Sequence, residues 1–189
     1  MNAMTGIDSK QLVQISKTIA KTLRHKPESL GLKLEEGGWV SVNALLAAFA
    51  RKGYALSLSE LEEVVARNDK QRFAFDETRE RIRASQGHSV EIDLQLEPLE
   101  PPETLFHGTT ATNLSGILES GLQRMKRHHV HLSIDLETAH RVGSRHGQAV
   151  ILTVNSKAMS EAGHLLYRSD NGVWLADDVP AKFLQLLSS

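Results

Sequence analysis

The sequence predicts an α+β protein of two lobes, and three observations predict it. Residues 96–103 read LEPLEPPE, with three of the five prolines, three Glu and no basic residue. That composition favours an extended, semi-rigid connector. Before it, apolar residues recur at helical spacing and then alternate in two short runs. After it, short strand-like and helix-like runs intermingle. The expected organisation is one lobe at residues 1–95, a linker at 96–103 and a second lobe at 104–189.

In the first lobe, Asp8 or Ser9 caps a helix whose Leu12, Ile15, Ile19 and Leu23 follow the 3.6 period. That helix reaches Arg24-His25 and stops before Pro27. Gly37-Gly38 turns the chain, residues 42–50 form a second helix ended by Gly53, and Ser59 with Glu62 makes a capping box for a third at 61–67. Residues 72–75 and 81–84 alternate about a turn at Asp76-Glu77-Thr78, a β-hairpin. Three short helices followed by a hairpin suggest a winged helix.

In the second lobe, residues 105–107 form a strand running into Gly108. Thr112 or Asn113 starts a helix that Gly121 closes. Residues 127–133 alternate as a strand, and Asp135 caps a helix through Arg141. AVILTV at 149–154 reads as a buried strand, and residues 165–167 and 173–175 flank SDNG as a hairpin.

Composition narrows the function. The chain has 189 residues, 40% apolar and 24% charged, enough to bury a core and unlike a disordered chain. No apolar run approaches the roughly 18–20 residues that span a bilayer, so no membrane partner is expected. The N-terminus lacks the charged-then-apolar pattern of a signal peptide. With no cysteine there are no disulfides, thiolate zinc sites or thiol nucleophiles, which is compatible with the expected cytoplasmic location. Residues 1–95 carry 14 basic and 13 acidic side chains and residues 104–189 carry 8 and 7, so both lobes are slightly basic. Seven of the nine histidines lie in the second lobe. Nothing requires an obligate protein partner, and a monomer is expected.

Four constellations could carry chemistry. Arg24-His25 ends a helix, where cations also suit the macrodipole. Arg67, Lys70, Arg72, Arg79, Arg81 and Arg83 surround the hairpin, either as solvated groups partly paired with Asp69, Asp76, Glu77 and Glu80 or as a grip on phosphates. On a strand, Arg127, His129, His131 and Ser133 share one face, a polar surface suited to an anion or a ribose. His107-Gly108-Thr109 ends a strand where a Gly lets backbone approach a ligand. A zinc site from His129 and His131 with His107 or His140 is the rival reading. It lacks a completing carboxylate or Cys, and Arg127 would repel the cation, so no metal is expected.

The order of these pieces is specific. TLFHGTTATNLSGILESGL, then MKRHHVHLSID, then NGVWLADDVP resembles an ADP-ribosyltransferase domain of the poly(ADP-ribose) polymerase type. Preceded by LRHKPESLGL, GGWVSV, NDKQRFAF and IRASQGHS, the chain resembles the NAD-dependent RNA 2′-phosphotransferase family over about residues 10–185. The resemblance implies a winged-helix RNA-binding lobe followed by an ADP-ribosyltransferase-like mixed α/β lobe. It implies removal of a 2′-phosphate of the splice-junction type from a tRNA-like RNA, with NAD⁺ as co-substrate. The route passes through an ADP-ribosylated RNA to RNA 2′-hydroxyl, ADP-ribose 1″,2″-cyclic phosphate and nicotinamide.

The same resemblance places the family's catalytic set on Arg24, His25, Arg72 and Arg127, and NAD⁺ contacts on His107, Gly108, Thr109, Gly116, His131 and Ser133. His131 stands where the polymerases carry Tyr, and Val173 where they carry Glu. A Glu there would repel an incoming phosphate, which argues against polymer synthesis. Function is expected to need a cleft between the lobes. Two competitors remain. A DNA-binding winged-helix regulator would have to read DNA with SELEEVVAR, a poor face for phosphates. An ADP-ribosyltransferase acting on a terminal RNA or DNA phosphate could share the first step.

Overall fold

The computed structural model describes residues 7–187, the side chain of His146 excepted. It is a mixed α and β structure whose chain divides after Gln95 into two compact units, each with its own apolar core.

The first unit begins with α1, Ser9–His25. Asp8 caps it by accepting from the backbone of Lys10 and Gln11 at 2.7 and 2.8 Å, and Gln11 reaches back in a capping box. Its Leu12, Ile19 and Leu23 are buried. β1, Val40–Ser41, leads into α2, Val42–Arg51, whose Leu45, Ala48 and Phe49 pack into the same core. α3 is Leu58–Ala66. Its capping box is Ser57 with Glu60, not Ser59 with Glu62, because Ser57 is the last residue in extended backbone and so can turn its hydroxyl onto the Glu60 N–H. Glu62 is left inside the helix and binds Arg79 at 3.1 Å.

β2, Phe73–Phe75, and β3, Arg81–Ala84, complete an antiparallel sheet of order β1-β3-β2. Phe73, Ile82, Ala84 and Val40 face the core. The alternation read from the sequence therefore reflects one buried face.

The second unit is built on β4, Thr104–Thr110, longer than the expected strand. It passes directly into α4, Ala111–Ser120, which starts one residue before Thr112 and ends at Gly121, φ +80°. Then come β5, Leu122–Gln123; β6, Val130–Leu132; α5, Leu136–Gly143, capped by Asp135; β7, Ala149–Asn155; α6, Ser156–Glu161; β8, Leu166–Arg168; β9, Trp174–Ala176; β10, Asp178–Val179; and β11, Leu184–Leu186. All pairings are antiparallel, in sheets of order β11-β7-β4, β6-β9-β8 and β10-β5.

Two further features differ from expectation. The strand at 127–133 is confined to Val130–Leu132: Met125 takes φ +53° and Arg127 N–H turns back to the Arg124 carbonyl, so Arg127 lies in a bend and not on the strand face. Residues 96–103 are also more than a tether. Leu99 N–H donates to Leu166 O at 2.8 Å, Pro98 bridges Tyr167, and Ser156 Oγ donates to Pro102 O at 2.6 Å. No helix among the described residues is long and apolar enough to cross a membrane.

Candidate functional site

In the first unit, a single segment, residues 85–89, touches three of the predicted site residues. Ser85 N–H donates to the Arg72 carbonyl at 2.9 Å. Gly87, at φ +86°, lies against Arg24: a Cβ built there would stand 3.8 Å from the guanidinium carbon. Ser89 N–H donates to the Arg24 carbonyl at 2.8 Å, and its hydroxyl meets His25 Nδ1 at 2.9 Å. The last turn of α1 thus presents Arg24 and His25 to the stretch that follows β3, and Nε and Nη2 of Arg24 are buried. Arg72 has a second anchor. Its Nη1 donates to Asn68 Oδ1 at 3.2 Å, and Asn68 Nδ2 donates to Ser16 Oγ on α1 at 2.5 Å. Of the other cations around the hairpin, Arg67, Arg79 and Arg81 meet Glu63, Glu62 and Asp76, and Arg83 lies 4.5 Å over the Trp39 ring. The Arg81 hydrogen bond holds the Asp76 carboxyl below its usual value.

In the second unit, β4 and β6 come together where Phe106 and Ser133 exchange two backbone hydrogen bonds of 2.8 Å. That bridge puts His107 beside His131. His107 Nδ1 lies 3.1 Å from the His131 carbonyl oxygen, which can only accept, so the proton is on Nδ1 and Nε2 is an acceptor. Burial pushes the His107 pKa below its ordinary 6.5; the bond to the His131 carbonyl opposes this and the Arg127 charge adds to it. Arg127 Nη1 donates to His131 Nδ1 at 2.6 Å, so the His131 ring proton sits on Nε2. The two rings therefore hold opposite tautomers, one offering an acceptor and the other a donor. Arg127 rejoins His131 through its side chain, although not through a shared strand.

Gly108 has a packing reason. A Cβ there would overlap the Ala139 carbonyl oxygen and stand 2.9 Å from Gly143 N, because α5 lies directly on β4. Gly116 is the opposite case: it sits mid-helix and nothing lies within 4 Å of where its Cβ would be. Thr109 is buried and Ser133 is half-buried. His129 faces Asp177 at 3.8 Å and the Tyr167 ring at 5.7 Å, not a metal-ligand set. Among the described residues no group of three or more His, Asp or Glu is placed to hold a metal ion. A depression of about 680 Å³ in this unit, bordered by Lys157, Lys182 and Phe183, includes none of the predicted residues.

The RNA 2′-phosphotransferase, Tpt1 / KptA family model matches residues 10–178. The chain belongs to that family. It is 51% identical to a protein of Nostoc punctiforme named "Probable RNA 2'-phosphotransferase", over 95% of this chain and 99% of the relative. A protein of the same name from Trichormus variabilis is 53% identical over 96% of this chain and all of the relative, and one from Streptomyces griseus is 52% identical over 95% and 99%.

Sequence reasoning for this RNA 2′-phosphotransferase family member missed the residues that hold the others. Asn68 and Ser85 are buried and Ser89 is exposed, and each acts through a contact to a predicted site residue. Asn68 left a local signal as an Asx-turn residue in NDKQR, and Ser85 and Ser89 fall within the motif IRASQGHS without being singled out.

Proposed function

We propose that this protein removes an internal 2′-phosphate from a tRNA-like RNA by transferring it to NAD⁺. In this reading the first unit is a winged-helix RNA-binding lobe, and the second is an ADP-ribosyltransferase-like lobe that binds NAD⁺. The observation that carries it is the gathering of Arg24, His25 and Arg72 about residues 85–89 in a chain of this family. The segment meets the Arg24 guanidinium, the His25 imidazole and the Arg72 backbone, and guanidinium and imidazole groups suit a phosphate dianion.

The reaction has two steps. A 2′-phosphate oxygen attacks C1″ of the nicotinamide ribose as nicotinamide leaves, which joins the RNA phosphate to ADP-ribose. The ribose 2″-hydroxyl then attacks phosphorus, and the RNA 2′-oxygen departs with the proton. The products are RNA with a free 2′-hydroxyl and ADP-ribose 1″,2″-cyclic phosphate. Arg24, Arg72 and Arg127 bind the phosphates and stabilise the charge of the second step. His25 donates a hydrogen bond to phosphate or carries a proton.

On the NAD⁺ side, the acceptor Nε2 of His107 suits a ribose hydroxyl, and the donor Nε2–H of His131 suits an oxygen. Gly108 and Thr109 meet the nicotinamide amide and ribose. Ser133 lies beside them at the β4–β6 bridge, and the open surface at Gly116 takes the adenosine half.

The test is a short RNA with one internal 2′-phosphate, incubated with and without NAD⁺. Loss of the phosphate only with NAD⁺, together with the cyclic ADP-ribose product, is expected. Release of inorganic phosphate, or loss without NAD⁺, overturns the reading.

A further inference from the structure

Carboxylates and an amide both meet arginines of the hairpin and its flanks. Arg67, Arg79 and Arg81 are met by carboxylates, Glu63, Glu62 and Asp76, at 2.5, 3.1 and 2.9 Å. Arg72 is met by an amide. Asn68 Oδ1 accepts from Arg72 Nη1 at 3.2 Å, from Arg72 N–H at 3.3 Å and from Lys70 N–H at 3.2 Å, and its Nδ2 donates to Ser16 Oγ at 2.5 Å. Asn68 is 5% exposed and Ser16 3%.

An Asx turn alone accounts for the Lys70 contact. It does not account for a bond to a guanidinium, nor for a bond to a helix 52 residues earlier in the chain. Ser16 lies on α1, the helix that ends in Arg24 and His25, so Asn68 links the Arg72 head group to the element that carries the other two.

We propose that Asn68 is a positioning residue for Arg72: it orients the guanidinium through a neutral oxygen and so adds no negative charge beside the RNA phosphate. This rests on the reading of Arg72 given above. The choice of amide is the chemical point. A carboxylate would hold the same geometry, since the Ser16 hydroxyl can donate in place of accepting, but it would set a negative charge beside the phosphate. An apolar residue would add no charge and would leave the Arg72 head group without this anchor.

The experiment compares Asn68→Asp, Asn68→Ala, Arg72→Ala and the double variant Asn68→Asp with Arg72→Ala. Thermal melts establish that each folds. Binding of a 2′-phosphorylated RNA is then titrated across salt, and turnover is measured at saturating NAD⁺. Asn68→Asp is expected to melt near the wild type, to bind the RNA about ten-fold more weakly, and to lose close to one unit of salt slope. Asn68→Ala is expected to lose turnover while keeping more of the salt slope than Asn68→Asp. In the Arg72→Ala background, Asn68→Asp should have little further effect, since the two act as one unit.

A wild-type salt slope in Asn68→Asp overturns the inference. So does a deficit of the same size with Arg72 already removed, which would mark a role independent of Arg72. If Arg72→Ala alone binds and turns over like the wild type, the reading of Arg72 fails first and this inference falls with it. A crippled Arg72→Ala beside an unaffected Asn68→Asp removes only the inference.

Discussion

Arg127 and His131 meet ring to guanidinium at 2.6 Å, and the His131 carbonyl in turn takes the Nδ1 proton of His107 at 3.1 Å. One strand residue thus sets the tautomer of a neighbouring histidine with its backbone while its own ring is set by an arginine. The arrangement is local to the second unit and defines what each ring can offer a ligand.

The depressed pKa of His107 gives a pH expectation. The group favours its neutral form in the folded protein, so it stabilises the fold above the ordinary value of 6.5 and that contribution is lost as pH falls through the folded value. NAD⁺ binding that uses a neutral Nε2 should therefore persist through pH 6.5 and weaken only as pH falls through the lower folded-state value. Calorimetric titration of NAD⁺ across pH checks this, with His107→Ala as the variant that loses binding. An acid limb centred above the ordinary histidine value would contradict it.

Two glycines should respond in opposite ways. Gly108→Ala forces a methyl into the Ala139 carbonyl, a backbone atom that cannot step aside, and should destabilise the second unit by about 3 kcal/mol or more. Gly116→Ala meets nothing and should stabilise α4 by up to ~1 kcal/mol. If the adenosine half of NAD⁺ lies there, the same methyl weakens NAD⁺ binding in a protein that melts higher. Melting curves paired with NAD⁺ titrations separate the two effects.

Arg127→Ala should slow the second step by about 10²–10³-fold, by analogy with the loss of one donor to a developing oxyanion. ADP-ribosylated RNA should then accumulate and be visible by gel shift or mass. Equal slowing of both steps would assign Arg127 to binding in place of phosphorus attack.

Neither unit should catalyse the reaction alone, because the assigned cations are divided between them. The cut matters. Starting the second unit at residue 104 would remove the Leu99–Leu166 and Pro102–Ser156 hydrogen bonds, so the fair fragment begins at Leu96. Full activity from residues 96–189 would contradict the assignment of Arg24, His25 and Arg72.

Much of the fold was legible in local pattern. The period of Leu12, Ile19 and Leu23, the Asp8 and Asp135 caps and the alternation around Phe73 and Ile82 each reflect a preference that a few neighbouring residues express by themselves. The order of motifs likewise identified the family. Boundaries were less legible, as at residues 127–133, where a positive φ at Met125 breaks an alternation that the side chains alone would permit.

Tertiary structure decided the rest. That Asn68 reaches Ser16, that the His107 proton is fixed by the His131 carbonyl, and that Gly108 is demanded by a helix crossing its strand are facts about contacts between distant parts of the chain. A residue's type limits which bonds it can make. Which bond it makes depends on what the fold brings within about 3 Å of it, and no window of sequence contains that partner.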